Sequence, residues 1–269
     1  MACSRFEYTK HFESETRALR STYMVIRVDG KGFSEFTTKH QYAKPNDDRG
    51  IKLMVEAARR TMAGIPEMIA GYGQSDEFSF VFGRECSLLG RRVQKLVSLV
   101  TSLFTANFVM QWPAFFDIEL LCPPHFDGRL VEYPTAQSLH DYLAWRQADC
   151  HVNNQYNECF WRLVGTGMSS NEAYERLKTT QTKDKNDLLF DDFNVNYNDL
   201  PQAHRKGAII VRITPAKVQL TREEHLNQRN RPKTPTKEDP LKVLHEDWIS
   251  PDFWLQYPSV LPEVTALFS

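Results

Sequence analysis

STYMVIRVDG, residues 21–30, and MIAGYGQSDEFSFVF, residues 68–82, decide the fold of this 269-residue chain. β-Branched and aromatic residues fill 21–28 and an Asp-Gly pair follows, which predicts a largely buried strand with Asp29 at its carboxyl end. In the second stretch, alternating phenylalanines indicate a strand whose hairpin partner is the run before it. We therefore expect Asp76 at the tip of a β-hairpin.

Further elements follow from periodicity and from Pro and Gly positions. The patterns predict helices at 31–39, 47–62, 91–110, 135–163, 170–178 and 183–193, and a strand at 207–213. Asn46 or Asp47 can cap the second helix, and Arg91 and Arg92 at the start of the third are expected to remain in water. Residues 120–134, LLCPPHFDGRLVEYP, are interpreted as a Pro-rich connection.

The composition is typical of a soluble globular protein. With 41% hydrophobic and 25% charged residues, the chain can bury a substantial core. Lysine plus arginine (33) nearly balance aspartate plus glutamate (34), so any nucleic acid would meet local basic patches. The five scattered cysteines contain no Cys-x-x-Cys pair, which argues against a structural zinc site or a disulfide framework. We expect a protein of the cytoplasm, or alternatively the nucleus, that spans no membrane.

Asp29 and Asp76 are the candidate metal ligands. If the first strand neighbours the hairpin in one antiparallel sheet, the two carboxylates come together at the edge of that sheet. Magnesium prefers oxygen ligands, and nucleotidyl transfer uses two metal ions roughly 3.5 to 4 Å apart. Gly30 allows its carbonyl to approach a metal closely, and backbone N–H groups behind it can bind a triphosphate. Each motif alone is more typical of an ordinary turn.

Four longer motifs occur together in a characteristic order. They are VIRVDGKGFSEFTTKHQYAKPND, GYGQSDEFSFVF, WRQADCHVNNQYNECFW and KGAIIV, all within about the first 210 residues. With them the chain resembles the histidine tRNA guanylyltransferases, or 3′ to 5′ tRNA polymerases, in their eukaryotic-like form. The resemblance implies an α+β fold, with a polymerase-palm-like antiparallel sheet backed by helices and an additional helical region. We expect a palm-like catalytic domain at 1–135 with a helical and C-terminal region, 136–269, packed on it, or one continuous domain.

The resemblance also implies a reaction. ATP adenylylates the 5′ phosphate of histidine tRNA, the 3′ hydroxyl of GTP displaces AMP, and pyrophosphate is removed to leave an added 5′ guanosine. Two magnesium ions are held by Asp29, Gly30 and Asp76, and the two aspartates are the catalytic residues. The implied partners are histidine tRNA, ATP and GTP, and the implied assembly is a homotetramer.

Further site residues are carried over by position. The expected nucleotide-binding set is Asp29, Gly30, Lys31, Gly32, Phe33, Ser34, Lys44, Ser75 and Asp76. Contacts with RNA or phosphate are expected from His151, Asn153, Asn154 and Lys185. His151 is equally typical of a structural histidine in a packed helix, and Glu77 is either a third metal ligand or a solvated turn residue. The basic stretch 229–240 is interpreted as a mobile loop, and like Arg91, Arg92 and Lys95 it could contact tRNA phosphates.

Three other functions are compatible with the residues. A nucleotide cyclase or a 5′ end repair polymerase would use the same metal-binding palm. A repair polymerase would add whichever nucleotide a template specifies to truncated tRNAs, whereas the favoured enzyme adds one guanosine to histidine tRNA. An RNA-binding module with an inactive palm is the non-enzymatic alternative, and the presence of both Asp29 and Asp76 argues against it.

Overall fold

A computed structural model describes residues 4–213 and 240–269. Within them, six strands form one antiparallel sheet: β1 (Tyr23–Gly30), β2 (Met68–Gln74), β3 (Glu77–Phe82), β4 (Phe126–Tyr133), β5 (Ala208–Arg212) and β6 (Leu241–Leu244). Their order across the sheet is β4-β1-β3-β2-β5-β6. Since β5 and β6 come from late in the chain, both halves of the protein build this sheet.

Helices pack on both faces of the sheet. They are α1 (Phe33–Lys39), α2 (Asp48–Gly64), α3 (Val93–Phe115), α4 (Ala136–Gly165), α5 (Ser170–Leu177), α6 (Thr182–Phe193), α7 (Gln202–Lys206), α8 (Pro251–Gln256) and α9 (Pro262–Thr265). Each predicted helix is present with shifted ends, and the predicted hairpin is β2–β3. The expected α+β fold, an antiparallel sheet backed by helices, is confirmed.

One face of the sheet packs on α2 and α3. Alternate residues of β1 and β3 point to this side because side chains alternate along a strand. Ile26 and Phe80 are cross-strand partners, and both are fully buried. The Phe104 ring of α3 meets the Phe80 ring edge to face at a centroid distance of 6.0 Å. The α2 residues that face this core include Leu53, Met54, Ala57 and Ala58, and all four are buried.

The opposite face packs on α4 and the C-terminal segment. Tyr23 and Val25 of β1 belong to this second core, together with the buried Trp248. The Gln147 side chain of α4 fixes the helix here: its amide nitrogen donates to the carbonyls of Lys206 and Glu246, and its oxygen accepts from the Trp248 backbone N–H. By alternation, Arg27 and Asp29 continue along this same face towards the end of β1.

Strand β4 shows that the interpretation of residues 120–134 as a connection was wrong. Residues 126–133 pair with the whole of β1, from Tyr23 opposite Tyr133 to Gly30 opposite Phe126. β4 lies at the edge of the sheet, and exposed side chains alternate with partly buried ones along it. Such alternation is typical of a strand with one face in water, and the two prolines precede the strand without interrupting it.

Arg91 corrects a second expectation, because it is buried. Its guanidinium donates to the carbonyls of Ala18, Cys86 and Thr22 and to the Thr22 hydroxyl. These bonds satisfy the charge and tie the N-terminal segment to the start of β1. Arg92 is partly exposed and pairs with Glu15 at 3.0 Å.

The cap of α2 is now assigned. The Asp47 side chain, not that of Asn46, accepts from the Arg49 backbone N–H at 2.9 Å.

Among the described residues, α3 is long and apolar enough to cross a membrane by length and composition, a criterion that core helices also meet. α3 packs on α2 and β4 along one side, where Leu96, Val100, Phe104, Phe108 and Trp112 are buried. Apart from Pro240, the predicted loop at 229–240 lies outside the described residues.

Gly128 offers a test of the contact between α3 and β4. A Cβ atom at Gly128 would lie 2.1 Å from Thr101 Oγ1 and 3.0 Å from Val97 Cγ1 of α3. Gly128→Ala should therefore lower the free energy of unfolding by about 1 to 3 kcal/mol, measured by urea denaturation, because α3 must shift. Gly165→Ala is the matched control, since nothing lies within 4 Å of a Cβ at that position. Equal stability of the two variants would contradict this close packing.

Candidate functional site

The β1–β3 pairing brings Asp29 and Asp76 together. Asp29 lies opposite Glu77, the first residue of β3, and the Gly30 N–H donates to the Asp76 carbonyl at 3.0 Å. Ser75 completes the hairpin turn with φ +51°, which allows the tight tip. The adjacency that the spacing could only suggest is therefore present in the fold.

The ionised form of the Asp76 carboxyl is unfavourable in the absence of a cation. The pKa of its carboxyl is raised to about 6, chiefly by burial and also by the neighbouring Asp29 carboxylate. Hydrogen bonds from its own backbone N–H and from Ser75 act in the opposite direction. A bound cation would favour the ionised form of both carboxylates, so this pair fits a cation site.

Gly30 contributes space beside the carboxylates. A Cβ atom there would lie 2.3 Å from the Phe33 ring and 2.9 Å from Asp76 Oδ2, so a side chain is excluded. The donors at this point are thus two carboxylates and a backbone carbonyl, an all-oxygen set that suits magnesium. The described residues contain no group of three or more His, Cys, Asp or Glu with metal-binding geometry. Magnesium usually completes its shell with water and substrate phosphates.

A cleft of about 680 Å³ opens beside Asp76. Residues predicted to bind nucleotides line it, namely Phe33, Ser34, Lys44, Ser75 and Asp76. Ser34 and Lys44 are exposed to this space, whereas Phe33 is buried against Phe36 and shapes the floor. Lys31 is exposed at the end of β1, and Gly32 precedes α1 with φ +69°. The cleft is large enough for a nucleotide.

The far wall of this cleft is aromatic, which the sequence analysis did not anticipate. Tyr156, Phe160 and Trp161 of α4 line it, and the Tyr156 and Phe160 rings stack at 6.0 Å. The Lys44 ammonium lies 5.5 Å from the centre of the Trp161 ring. Spacing of four residues on a helix brings two rings onto one side, but that spacing is equally typical of core packing.

A second cavity of about 330 Å³ adjoins this cleft at the hairpin tip. Polar side chains line much of it, among them Gln74, Asp149, Asn153, Asn157 and His204. Ser75 and Asp76 border both spaces. Asp76 therefore contributes to both cavities, and its neighbour Asp29 lines neither.

The residues predicted to contact RNA have different surroundings. Asn154 is buried: its amide nitrogen donates to the Tyr197 hydroxyl at 3.2 Å and its oxygen accepts from Asn46 at 2.9 Å. These bonds hold Asn154 in the interior beside the second cavity, and its expected contact with RNA or phosphate stays a prediction. His151 is half-buried beside the Tyr197 ring, and burial lowers the pKa of its imidazole.

The expected contacts of Lys185 and Asn153 with RNA or phosphate remain predictions. The Lys185 ammonium donates to the Thr180 carbonyl at 2.7 Å, and Asn153 is exposed at the second cavity. Glu77 is buried and ion-paired, so its interpretation as a solvated turn residue was wrong.

The chain matches two family models. One is described as tRNAHis guanylyltransferase and covers residues 6–134, and the other is described as Thg1 C terminal domain and covers residues 137–250. The tRNA(His) guanylyltransferase of Schizosaccharomyces pombe is 46% identical over 259 residues, which are 96% of this chain and 97% of that protein.

Solved structures share the fold. The crystal structure of tRNA(His) guanylyltransferase from Saccharomyces cerevisiae superposes with a TM-score of 0.74 at 38% identity, covering 77% of this chain and 93% of that one. A bacterial tRNA(His) guanylyltransferase (Thg1)-like protein in complex with ATP has the same fold, with a TM-score of 0.70 at 24% identity. The match covers 94% of this chain and 97% of that one. The protein is thus an enzyme of the nucleotidyltransferase class. It belongs to the tRNAHis guanylyltransferase family.

The Asp76 carboxyl predicts an unusual pH dependence of stability. Since its folded-state pKa is about 6 and its ordinary value 3.8, the folded protein holds a proton that the unfolded chain releases between these values. Without metal, this group therefore destabilises the fold increasingly as pH rises from about 4 to 6. The free energy of unfolding of Asp76→Asn should exceed that of the wild type by roughly 2 kcal/mol at pH 7.5 and by much less at pH 4.5. Urea unfolding in EDTA measures this difference. Asp191→Asn, at an exposed position of α6, is the control, and a pH-independent gain at Asp76 would contradict the raised pKa.

Proposed function

We propose that this protein adds one guanosine to the 5′ end of histidine tRNA, using ATP to activate the 5′ phosphate. The observation that carries the proposal is the adjacency of Asp29 and Asp76 at the hairpin tip, where Asp76 borders two cavities. Near-full-length similarity to named tRNA(His) guanylyltransferases supports the same substrates here. A bacterial relative with the same fold forms a complex with ATP, which is consistent with nucleotide binding by this fold.

The proposed chemistry is two successive displacements at phosphorus. An oxygen of the tRNA 5′ phosphate attacks the α-phosphorus of ATP and pyrophosphate leaves, which gives a 5′ adenylylated tRNA. The 3′ hydroxyl of GTP then attacks the tRNA 5′ phosphorus, and AMP leaves with the bonding electrons. Hydrolysis finally removes pyrophosphate from the added nucleotide. The reaction requires two nucleotides in succession, which the two cavities around Ser75 and Asp76 could accommodate.

The residues of the site have distinct proposed tasks. Asp29, Asp76 and the Gly30 carbonyl would hold two magnesium ions. Bound magnesium stabilises negative charge on attacking and leaving oxygens. Lys44 provides a positive charge and Ser75 a hydroxyl donor for triphosphate oxygens in the cleft. The absence of a side chain on Gly30 keeps this approach open.

The assay uses purified protein with 5′ monophosphorylated histidine tRNA, magnesium, ATP and labelled GTP, and a phenylalanine tRNA as control. We expect extension of histidine tRNA by one nucleotide. Asp29→Asn and Asp76→Asn should each reduce the rate at least about a hundredfold, because each removes a metal ligand. The Asp191→Asn variant should match the wild type. Extension of truncated tRNAs alone would favour the repair polymerase, and near-normal rates in either aspartate variant would overturn the two-metal assignment.

We also propose a homotetramer, as the resemblance implies. Leu99 and Met110 of α3 are exposed apolar side chains, and exposed apolar surface is typical of association sites. Sedimentation velocity should give the mass of four chains, and Met110→Lys should shift the distribution to smaller species. A monomeric wild-type protein would contradict the proposal.

A further inference from the structure

Arg146 and Glu77 are buried charged residues without a place in the chemistry above. They are 5% and 9% exposed, respectively. Arg146 lies on α4 and Glu77 opens β3, immediately after Asp76. Buried ions are costly to desolvate, and a buried ion pair seldom improves stability relative to apolar residues. Their position beside the carboxylate site therefore requires an explanation.

The two residues belong to a chain of ionic contacts that ends at Asp29. Arg146 Nη1 lies 3.2 Å from both Glu77 Oε1 and Oε2. Glu77 Oε2 also lies 3.8 Å from Arg27 Nη1. Arg27 Nη2 then donates to Asp29 Oδ2 at 3.0 Å. The order of charges is thus Arg146, Glu77, Arg27 and Asp29, alternating in sign.

Asp29 is oriented by the last of these contacts. Because Arg27 engages Oδ2, the other carboxylate oxygen is left for a cation. Arg27 also contacts Glu77 through Nη1, so its guanidinium is shared between two carboxylates. Arg27 without Glu77 could pair with Asp29 alone and compete with a cation for both of its oxygens.

Arg146 itself is fixed by α4. Its guanidinium stacks on the Trp145 ring with 3.5 Å to the ring centre, and Asp149 lies 3.6 Å away. The neighbouring Gln147 fastens α4 to Lys206, Glu246 and Trp248 as described above. Gln74 also donates to Asp149, at 3.2 Å, and approaches Glu77 at 3.4 Å. The Arg146 end of this series of ionic contacts is consequently held by a helix from the second half of the protein.

We propose that Arg146 is a positioning residue that acts through Glu77 and Arg27 to hold the Asp29 carboxylate in the orientation that receives a divalent cation. Glu77 in this arrangement is not a metal ligand, because its two oxygens are engaged by Arg146. The inference deepens the proposed function, since it rests on the metal site at Asp29 and Asp76. Groups that orient metal ligands commonly alter metal affinity ten- to a hundredfold when they are changed.

The test measures Mn²⁺ binding by electron paramagnetic resonance in the full-length protein without tRNA. Arg146→Met and Glu77→Gln should each weaken Mn²⁺ binding about tenfold or more, and the double variant should show little further loss, because both act through one contact. Arg146→Lys should recover part of the affinity, since it keeps the charge but not the planar guanidinium. Arg176→Met removes an arginine from an exposed pair with Asp192 and should bind Mn²⁺ as the wild type does. Thermal unfolding of every variant checks that the fold is retained.

Direct ligation by Glu77 gives a different result. In that case Glu77→Gln weakens Mn²⁺ binding, whereas Arg146→Met leaves it unchanged or tightens it, because a competing cation is removed. Such a pattern, or independent losses that add in the double variant, would overturn the inference. Guanosine addition is measured separately: wild-type protein that binds Mn²⁺ but extends no tRNA would refute the proposed function, and the binding data would still decide the role of Arg146.

Discussion

Two carboxylates in a partly buried turn repel each other, and much of this structure serves to hold them together. The β1–β3 register sets the end of one strand against the tip of a hairpin, so the backbone alone brings Asp29 and Asp76 close. The energy for this arrangement comes from elsewhere in the sheet. Ile26 and Phe80, on the opposite face of the same two strands, are fully buried, and burial of such side chains stabilises a fold by about 1.5 to 3 kcal/mol each.

The surroundings of the two aspartates differ, and so do their electrostatic properties. Asp76 is disfavoured as an ion by burial, whereas Asp29 accepts a hydrogen bond from a guanidinium. A cation bound between them would thus supply the positive charge that Asp76 lacks. At Asp29 it would add to the positive charge of the Arg27 guanidinium. The alternation of charges from Asp29 back to α4 keeps this edge of the sheet nearly balanced without a solvent-exposed counterion.

Local patterns in the sequence predicted most helices and strands. They predicted the contacts between these elements only in part. The alternating phenylalanines identified β3 and its buried face because period-two alternation leaves few other interpretations. β4 was missed because an edge strand with one wet face has a weak apolar signal next to Pro123 and Pro124. Arg91 was placed in water, and a solvated turn was one of two alternatives for Glu77, because partners of both residues lie on elements distant in sequence. Strand neighbours, and hence the adjacency of Asp29 and Asp76, depend on the same long-range contacts.

The site also depends on the C-terminal half of the chain. The sheet edge supplies the carboxylates, but α4 supplies the aromatic wall of one cavity and polar residues of the other. The backbone around α7 closes the second cavity through His204 and Gly207, and Tyr72 of β2 donates to the Lys206 carbonyl at 3.0 Å. A sheet of β1 to β4 alone would carry the two aspartates at an open edge without walls for a nucleotide. The geometry of the candidate site therefore belongs to the complete sheet and its covering helices, because only both halves together enclose the space beside Asp76.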